Sequence, residues 1–575
     1  MVWDASIRNA FADDPATEVV LVECFAKGDA LSLSDAPAPQ TPIAASDLCL
    51  VKLIVGPGHP GPAGAPSVSP GIGIEVWLPS RENWNDRIHV LGGGGWDGGS
   101  HGSANAIAEL RAAMVAANEG AVSAHSDGGH PRPGAMPGQV AGGGDFAMNP
   151  DGTLNWVLLN DFASRAMHEV ALKTKALANA YYGRAPKYSY FDGASNGGRQ
   201  GLNLAQNHPE DFDGILADMP ANNWSSFMAA TVYPQLVFQR DLNGEVPSEK
   251  QQDLVSNAAI RTCDKIGEEH LGYSMDIASC RYDPTTDRDV LCVADGGNNS
   301  SEDAVTMAQA MAFNKIWYGP TIDGSVPSPA IDNGFDTKRG GKRIWYGYPR
   351  GTSLYNAIFS KLFQTNAGVA NRTGPFTHGT DMLALIMQDA RLASTNFRNA
   401  SGDGVDGWKD LTYSEFARIV ELGNAAQFEL LNSNNPDLSA FCSLGGKLMT
   451  WHGIHDEAIP VQGITDYYDR VVEAMGGVDK VQSFYRLYLV PGAGHATPNG
   501  TSNPAASPPI VDNDKFYQLL VDWVEKGIAP GRIELSTPAG SPATRSQPIC
   551  PYPQRATYIG GNPNVASSFE CGSSR

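Results

Sequence analysis

The chain has 575 residues, 42% of them hydrophobic, a mean hydropathy of −0.25, a formal charge of −21 and a pI near 4.9. This is the composition of a globular protein with ample core, long enough for two or three structural units. The acidic balance excludes nucleic acid and anionic membrane surfaces as partners, and no run of about 18 apolar residues is present to cross a bilayer.

In chain order, Ile88–Leu91 reads as a buried strand leading into the glycine loop Gly92–Gly95, and Ala121–Ala124 reads as the next strand. Asn155–Tyr182 sets Trp156, Leu159, Phe162, Met167, Val170 and Leu172 at helical spacing and predicts a long crossover helix. Tyr188–Phe191 is an aromatic-rich strand, Arg199–Ala205 opens a helix, and Ile215–Asp218 is another short strand. Such alternation predicts a parallel sheet with helices on both faces. Between residues 221 and 438 the spacing becomes irregular, with a glycine- and asparagine-rich stretch at Asp295–Ser301 and an aromatic run at Ile344–Tyr348. Alternation then resumes with strand Lys447–His452, helix Gly463–Met475, strand Phe484–Val490 and helix Lys515–Lys526. The tail after Gly531 is rich in proline and serine.

Of the eight cysteines, Cys24/Cys49, Cys263/Cys280 and Cys550/Cys571 are spaced as short-loop pairs, and no C-x-x-C metal spacing occurs. Cys292 and Cys442 remain, and spacing does not say whether they pair. The start, Met1-Val2-Trp3-Asp4, lacks the charged and apolar segments of a leader. Taken with the cysteines, it predicts a secreted or periplasmic protein whose leader has been removed. Sequons at Asn223, Asn298, Asn299, Asn371, Asn399 and Asn499 permit glycosylation.

Gly193-Ala194-Ser195-Asn196-Gly197 lies where a strand turns into a helix. A G-x-S-x-G bend in that setting is a nucleophile elbow, whose glycines let a strained turn close so that the serine hydroxyl stands clear of the sheet. A serine hydroxyl needs a base to take its proton and a third group to orient the base. In an α/β-hydrolase the chain order is serine, acid, histidine, and both partners are found after resumed strands: Asp456 in Trp451–Pro460 and His495 in Val490–Ala496. His452 and His455 read as structural, and Glu457 is the alternative acid. The oxyanion of acyl transfer needs two donors. The N–H of Asn196 is one candidate, and the glycine loop offers Gly95 or Gly94 as the other. The expected architecture is an α/β-hydrolase fold with a large inserted lid domain. Residues 1–220 and 439–575 would form the discontinuous catalytic domain, and 221–438 the insert.

These residues resemble the tannase and feruloyl esterase family, which includes mono(2-hydroxyethyl) terephthalate hydrolase. The resemblance runs over nearly the whole chain. It rests on Asn83-Trp84-Asn85, the Gly92 loop, Asp161-Phe162-Ala163, His168-Glu169-Val170, Ser195–Gly201, His208-Pro209, Trp451-His452-Gly453, Pro460, Asp466-Tyr467-Tyr468, Gly492–His495 and Cys550–Pro553. It implies a serine carboxylic-ester hydrolase acting on galloyl, feruloyl or other hydroxycinnamoyl, or terephthalate monoesters. The partner would be a small aromatic ester, with no nucleic acid and no membrane. Trp345 and Tyr346 could stack on the acid's ring, or could form the insert's core instead. An acyltransferase using the same triad and a non-catalytic hydrolase-fold binding protein are the rival readings.

Two positions depart from the family. Its members carry cysteines beside the nucleophile and the catalytic histidine that clip the two loops together; here both are alanine, Ala194 and Ala496. The family's insert also binds Ca²⁺ through an Asp-rich loop between two cysteines. In Cys263–Gly272 only Asp264 is retained of those carboxylates, with Gly267 and Leu271 at expected ligand positions and Lys265 nearby. The expectation is no cofactor and no metal.

Overall fold

The computed structural model describes residues 5–34, 36–131, 143–354, 376–399, 402–495, 498–499 and 507–573. Ala496 and the sequon at Asn371 lie outside the described residues. The chain opens with three strands absent from the alternation above: β1 (Thr17–Phe25), β2 (Leu48–Val55) and β3 (Ile72–Pro79), paired antiparallel in succession. Next come β4 (Arg87–Leu91), β5 (Val122–Ser126), β6 (Tyr188–Ala194) and β7 (Gly214–Asp218). A two-residue hairpin, β8 (Lys265–Ile266) and β9 (Glu269–His270), belongs to the insert. Strands β10 (Lys447–Gly453) and β11 (Tyr485–Val490) then return to the main sheet.

The nine-stranded sheet runs β1-β2-β3-β5-β4-β6-β7-β10-β11. It is parallel from β5 to β11 and antiparallel from β1 to β5. The parallel sheet expected from the alternation is present from β5 to β11, and the antiparallel strands β1 to β3 extend it at one edge. Strands β2 and β3 are buried on both faces (Leu50, Val51, Leu53, Ile74, Val76 and Trp77). Two-sided burial removes the period-two pattern by which an antiparallel strand announces itself.

The long crossover helix is present as Trp156–Asn160 and Ala166–Tyr182, joined by a π turn at Asp161–Arg165. A π turn advances the helix by an extra residue and shifts which side faces inward. Leu159, Phe162, Met167 and Val170 are buried, whereas Trp156 and Leu172 are 43% and 42% exposed.

Among the described residues, 221–438 add no strand to the nine-stranded sheet. Their described helices include Trp224–Ala230, Tyr233–Asp241, Glu249–Cys263, Met307–Tyr318, Thr377–Met387 and Tyr413–Leu422. Three of these start with reciprocal capping boxes, Ser248/Gln251, Thr306/Gln309 and Thr412/Glu415, a signal readable in the sequence. The insert's core, with Phe313, Trp317, Trp345 and Tyr346, is continuous with Trp96, Phe146 and Phe162. The segment is thus packed onto the loop that follows β4.

All three expected disulfides are formed, Cys24–Cys49, Cys263–Cys280 and Cys550–Cys571. The first joins register partners across β1 and β2. Cys292 and Cys442 remain free thiols.

Candidate active site

Ser195 directly follows β6 and caps the next helix with φ 64° and ψ −116°, a backbone conformation that a non-glycine residue adopts only when its surroundings force it. The forcing neighbours are glycines. A Cβ on Gly193 would fall 2.7 Å from the carbonyl carbon of Gly197, and one on Gly198 would fall 2.4 Å from the Asp218 carbonyl oxygen. Helix Asn196–Asn207 can therefore start directly against the strand it leaves.

A row of backbone hydrogen bonds crosses this edge of the sheet. Ser195 N–H donates to Asp218 O (2.9 Å), Met219 N–H to Trp451 O (2.8 Å) and Ile454 N–H to Val490 O (3.0 Å). The ends of β6, β7, β10 and β11 are thus laced together, and the loops carrying Asp456 and His495 emerge at the edge where Ser195 stands.

His495 Nδ1 lies 2.8 Å from Asp456 Oδ2, with both side chains buried. The other oxygen, Asp456 Oδ1, accepts from the N–H groups of Ala458 (2.8 Å) and Ile459 (2.7 Å). Burial works to raise the Asp456 pKa, but the charge of His495 and hydrogen bonds from His452 and His495 outweigh it and hold the carboxyl well below its usual range. His452 is fully buried, with Nε2 2.9 Å from Ile459 O and 3.3 Å from Asp456 Oδ2. Burial pushes neighbouring His455 down to about 4, against a backbone hydrogen bond with Arg350.

Glu457 does not orient the imidazole; its Oε2 instead accepts the backbone N–H of His495 at 2.9 Å. Burial and the adjacent Asp456 push it up to about 7.

In the glycine loop, Gly92 N–H donates to Asp192 O (2.8 Å) and Gly93 N–H to Gln200 Oε1 (3.0 Å). Gly95 has φ 57°, and a Cβ there would lie 2.6 Å from His378 Nε2 of the insert helix Thr377–Met387. Gly94 is partly exposed between them, and Asn196 is fully buried. Asn196 also bonds to two buried side chains that the sequence reading passed over, Asp97 and Arg199. Burial raises Asp97 to about 7 against the pull of Arg199 and lowers Arg199 to about 10.

Trp345 and Tyr346 are 4% and 3% exposed and pack side by side at 5.0 Å within the insert's core. Both belong to the hydrophobic core that the insert shares with Trp96 and Phe146. Ala194 is the last residue of β6.

Asp264 Oδ1 lies 2.6 Å from His270 Nδ1, and its Oδ2 accepts Gly272 N–H at 2.7 Å. Glu268 pairs with Lys265 and Glu269 bonds Asn564, so the loop's carboxylates are engaged separately and do not converge. This arrangement does not fit Ca²⁺, which gathers six to eight oxygens around one point. Among the described residues, one group offers metal-ligand types within reach of each other: His168, His208 and Asp211, with ligand atoms all within 4.8 Å. Its imidazoles are stacked at 4.0 Å and 16°, and the first bonds Asp211 while the second bonds Ser164. Rings lying face to face do not converge their lone pairs on one ion, so the group is a hydrogen-bonded cluster.

A cavity of about 660 Å³ opens between residues 275–281, 331–340 and 548–556. It excludes Ser195 and His495. Its carboxylates are engaged locally: Asp276 with Arg555 (3.5 Å), Asp332 with the Tyr318 hydroxyl (3.1 Å) and Asp336 with Lys338 N–H (2.8 Å).

Residues 60–572 match the family model for tannase and feruloyl esterase. The chain belongs to that family. It is a carboxylic ester hydrolase. Over 539 residues it is 32% identical to a probable feruloyl esterase of Arthroderma benhamiae, spanning 93% of this chain and 87% of that protein. It is 28% identical over 535 residues to the mono(2-hydroxyethyl) terephthalate hydrolase of Piscinibacter sakaiensis, spanning 87% and 81% of the two chains. The fold matches the crystal structure of feruloyl esterase B from Aspergillus oryzae with a TM-score of 0.72 at 23% identity, over 99% of this chain and all of the other. Among the described residues no helix is long and apolar enough to cross a membrane.

Proposed function

We propose that the protein hydrolyses esters of aromatic acids through a triad of Ser195, His495 and Asp456. The observation that carries this reading is the buried 2.8 Å pair of His495 and Asp456 at the sheet edge where Ser195 is held in its strained elbow. Ser195 Oγ attacks the ester carbonyl while His495 Nε2 takes its proton, and Asp456 stabilises the imidazolium through Nδ1. Negative charge on the carbonyl oxygen is received by the N–H of Asn196 and by that of Gly95 or Gly94. Collapse of the tetrahedral intermediate expels the alcohol, which takes the proton from His495. Water then attacks the acyl-enzyme by the same sequence and releases the acid and free Ser195.

The aromatic acid is supported by relatives named for feruloyl, tannin and terephthalate esters. It is also supported by the insert, which sets His378, stacked on Phe376 at 4.4 Å, against Gly95. The acid would be of galloyl, hydroxycinnamoyl or terephthalate monoester type. Calcium has no part in this reading, because His270 and a backbone N–H occupy Asp264. Three disulfides favour a secreted or periplasmic location.

Ser195→Ala tests the mechanism. The wild type should hydrolyse one or more of gallate, ferulate and terephthalate monoesters in preference to short aliphatic esters, and should be labelled by a fluorophosphonate. The variant should fold, resist labelling and lose on the order of 10⁴ or more in kcat. Near-wild-type turnover by Ser195→Ala would overturn the triad, and a preference for aliphatic esters would overturn the substrate class.

A further inference from the structure

We propose that Asp97 is a positioning residue that sets both halves of the oxyanion hole through two amide side chains. The inference rests on the serine-esterase reading above.

Asp97 directly follows Trp96 in the loop after β4 and is 6% exposed. Its Oδ1 accepts from Asn196 Nδ2 at 2.8 Å, and its Oδ2 accepts from Gln200 Nε2 at 3.3 Å. Each amide then holds one side of the hole. Asn196 is the residue whose backbone N–H would meet the oxyanion, and its side chain is gripped at both ends. Its Nδ2 is held by Asp97 and its Oδ1 by Arg199 Nε at 2.7 Å. Gln200 turns its Oε1 to the N–H of Gly93, at 3.0 Å, and so fixes the peptide that leads into Gly94 and Gly95.

The far end of the network is equally constrained. Arg199 is fully buried and donates from Nη1 to the carbonyl of Ala163 (2.9 Å) and from Nη2 to that of Phe162 (3.0 Å), both in the π turn of the crossover helix. Its guanidinium also lies over the rings of Phe162 (4.7 Å) and Trp224 (5.4 Å). The carboxylate is packed against the glycine loop itself, since a Cβ on Gly93 would lie 1.7 Å from Asp97 Oδ2. No disulfide joins these segments. One buried carboxylate therefore couples the elbow helix to the glycine loop, so the two donors are placed relative to each other before substrate arrives. Preorganised donors of this kind act on the transition state and leave ground-state binding little changed.

The test uses two variants of the whole chain. Asp97→Asn can accept from only one of the two amides. Gln200→Leu leaves the bonds of Asn196 to Asp97 and Arg199 in place and removes the amide that joins Asp97 to the Gly93 N–H. On an ester that the wild type hydrolyses, kcat should fall by roughly 10- to 100-fold in each, below the loss seen when an oxyanion donor is deleted outright. KM should stay within about threefold, and the Ki of an arylboronic acid, whose tetrahedral adduct fills the hole, should rise in step with the fall in kcat. Folded variants with kcat within twofold of wild type would overturn the proposal, as would losses in KM alone. If Asp97→Asn does not fold because Arg199 is left unpaired, Gln200→Leu decides. Ser195→Ala separates the two ideas. An active Ser195→Ala defeats the esterase mechanism, whereas an inactive one beside fully active Asp97→Asn and Gln200→Leu defeats only the role of Asp97.

Discussion

His495 sits between opposing influences. Burial lowers its pKa, while the charges of Asp456 and Glu457 and the hydrogen bond to Asp456 raise it, and the net result lies above the ordinary 6.5. The imidazole must be neutral to take the serine proton, so activity should be lost as pH falls through that raised value. Glu457→Gln keeps an oxygen for the His495 N–H and removes a negative charge that favours the imidazolium. Its acid limb in kcat/KM against pH should therefore move to lower pH, with the plateau retained. An unmoved or upward-shifted limb would count against this assignment. The elbow at Ser195 and the pairing of His495 with Asp456 were legible in the sequence, because each residue follows a strand and they come in the chain order that the proposed triad requires. The role of Glu457 was not, because it depends on which way a side chain turns from a loop.

Among the elements, β2 and β3 carry an ion pair inside the sheet. Lys52 and Glu75 are register partners 2.7 Å apart, with both side chains fully buried. Glu75 also accepts the N–H groups of Ala108 (2.6 Å) and Glu109 (2.9 Å), which anchors the segment before helix Leu110–Asn118. Burial lowers the Lys52 pKa and raises that of Glu75, and each partner opposes the shift in the other. Removing one member leaves an uncompensated buried charge, so Glu75→Ala should lose about 3–5 kcal/mol in denaturant unfolding. A loss under about 1 kcal/mol would mean that water reaches the pair. Periodicity located β4 to β7 and both returning strands, because a short apolar run between turn signals reads clearly. It missed β1 to β3, and it missed the capped insert helices. It also counted Trp156 and Leu172 in the helical pattern, and both are exposed; Leu172 stands two residues from buried Val170 and so faces the other side of the helix.

At the scale of the whole molecule, three disulfides close loops with sequence separations of 25, 17 and 21 residues. In the chain-entropy account each contributes about 3 kcal/mol by restricting the unfolded state. Thermal melts should therefore shift down in reductant and stay unmoved in a calcium chelator, since His270 and Gly272 hold Asp264. A drop in midpoint with chelator alone would restore a metal to the insert. The sequence by itself determined the hydrolase alternation, the elbow, the pairing of Asp456 with His495 and the three short-loop disulfides. Each of these is written in neighbouring residues or in order along the chain. Only the tertiary structure decided that the sheet is mixed and that Trp345 and Tyr346 are core. It alone brought Asp97 to Asn196 across 99 residues of sequence. Contacts of that kind depend on where a three-dimensional fold returns the chain, and no local pattern of propensity or period records the return.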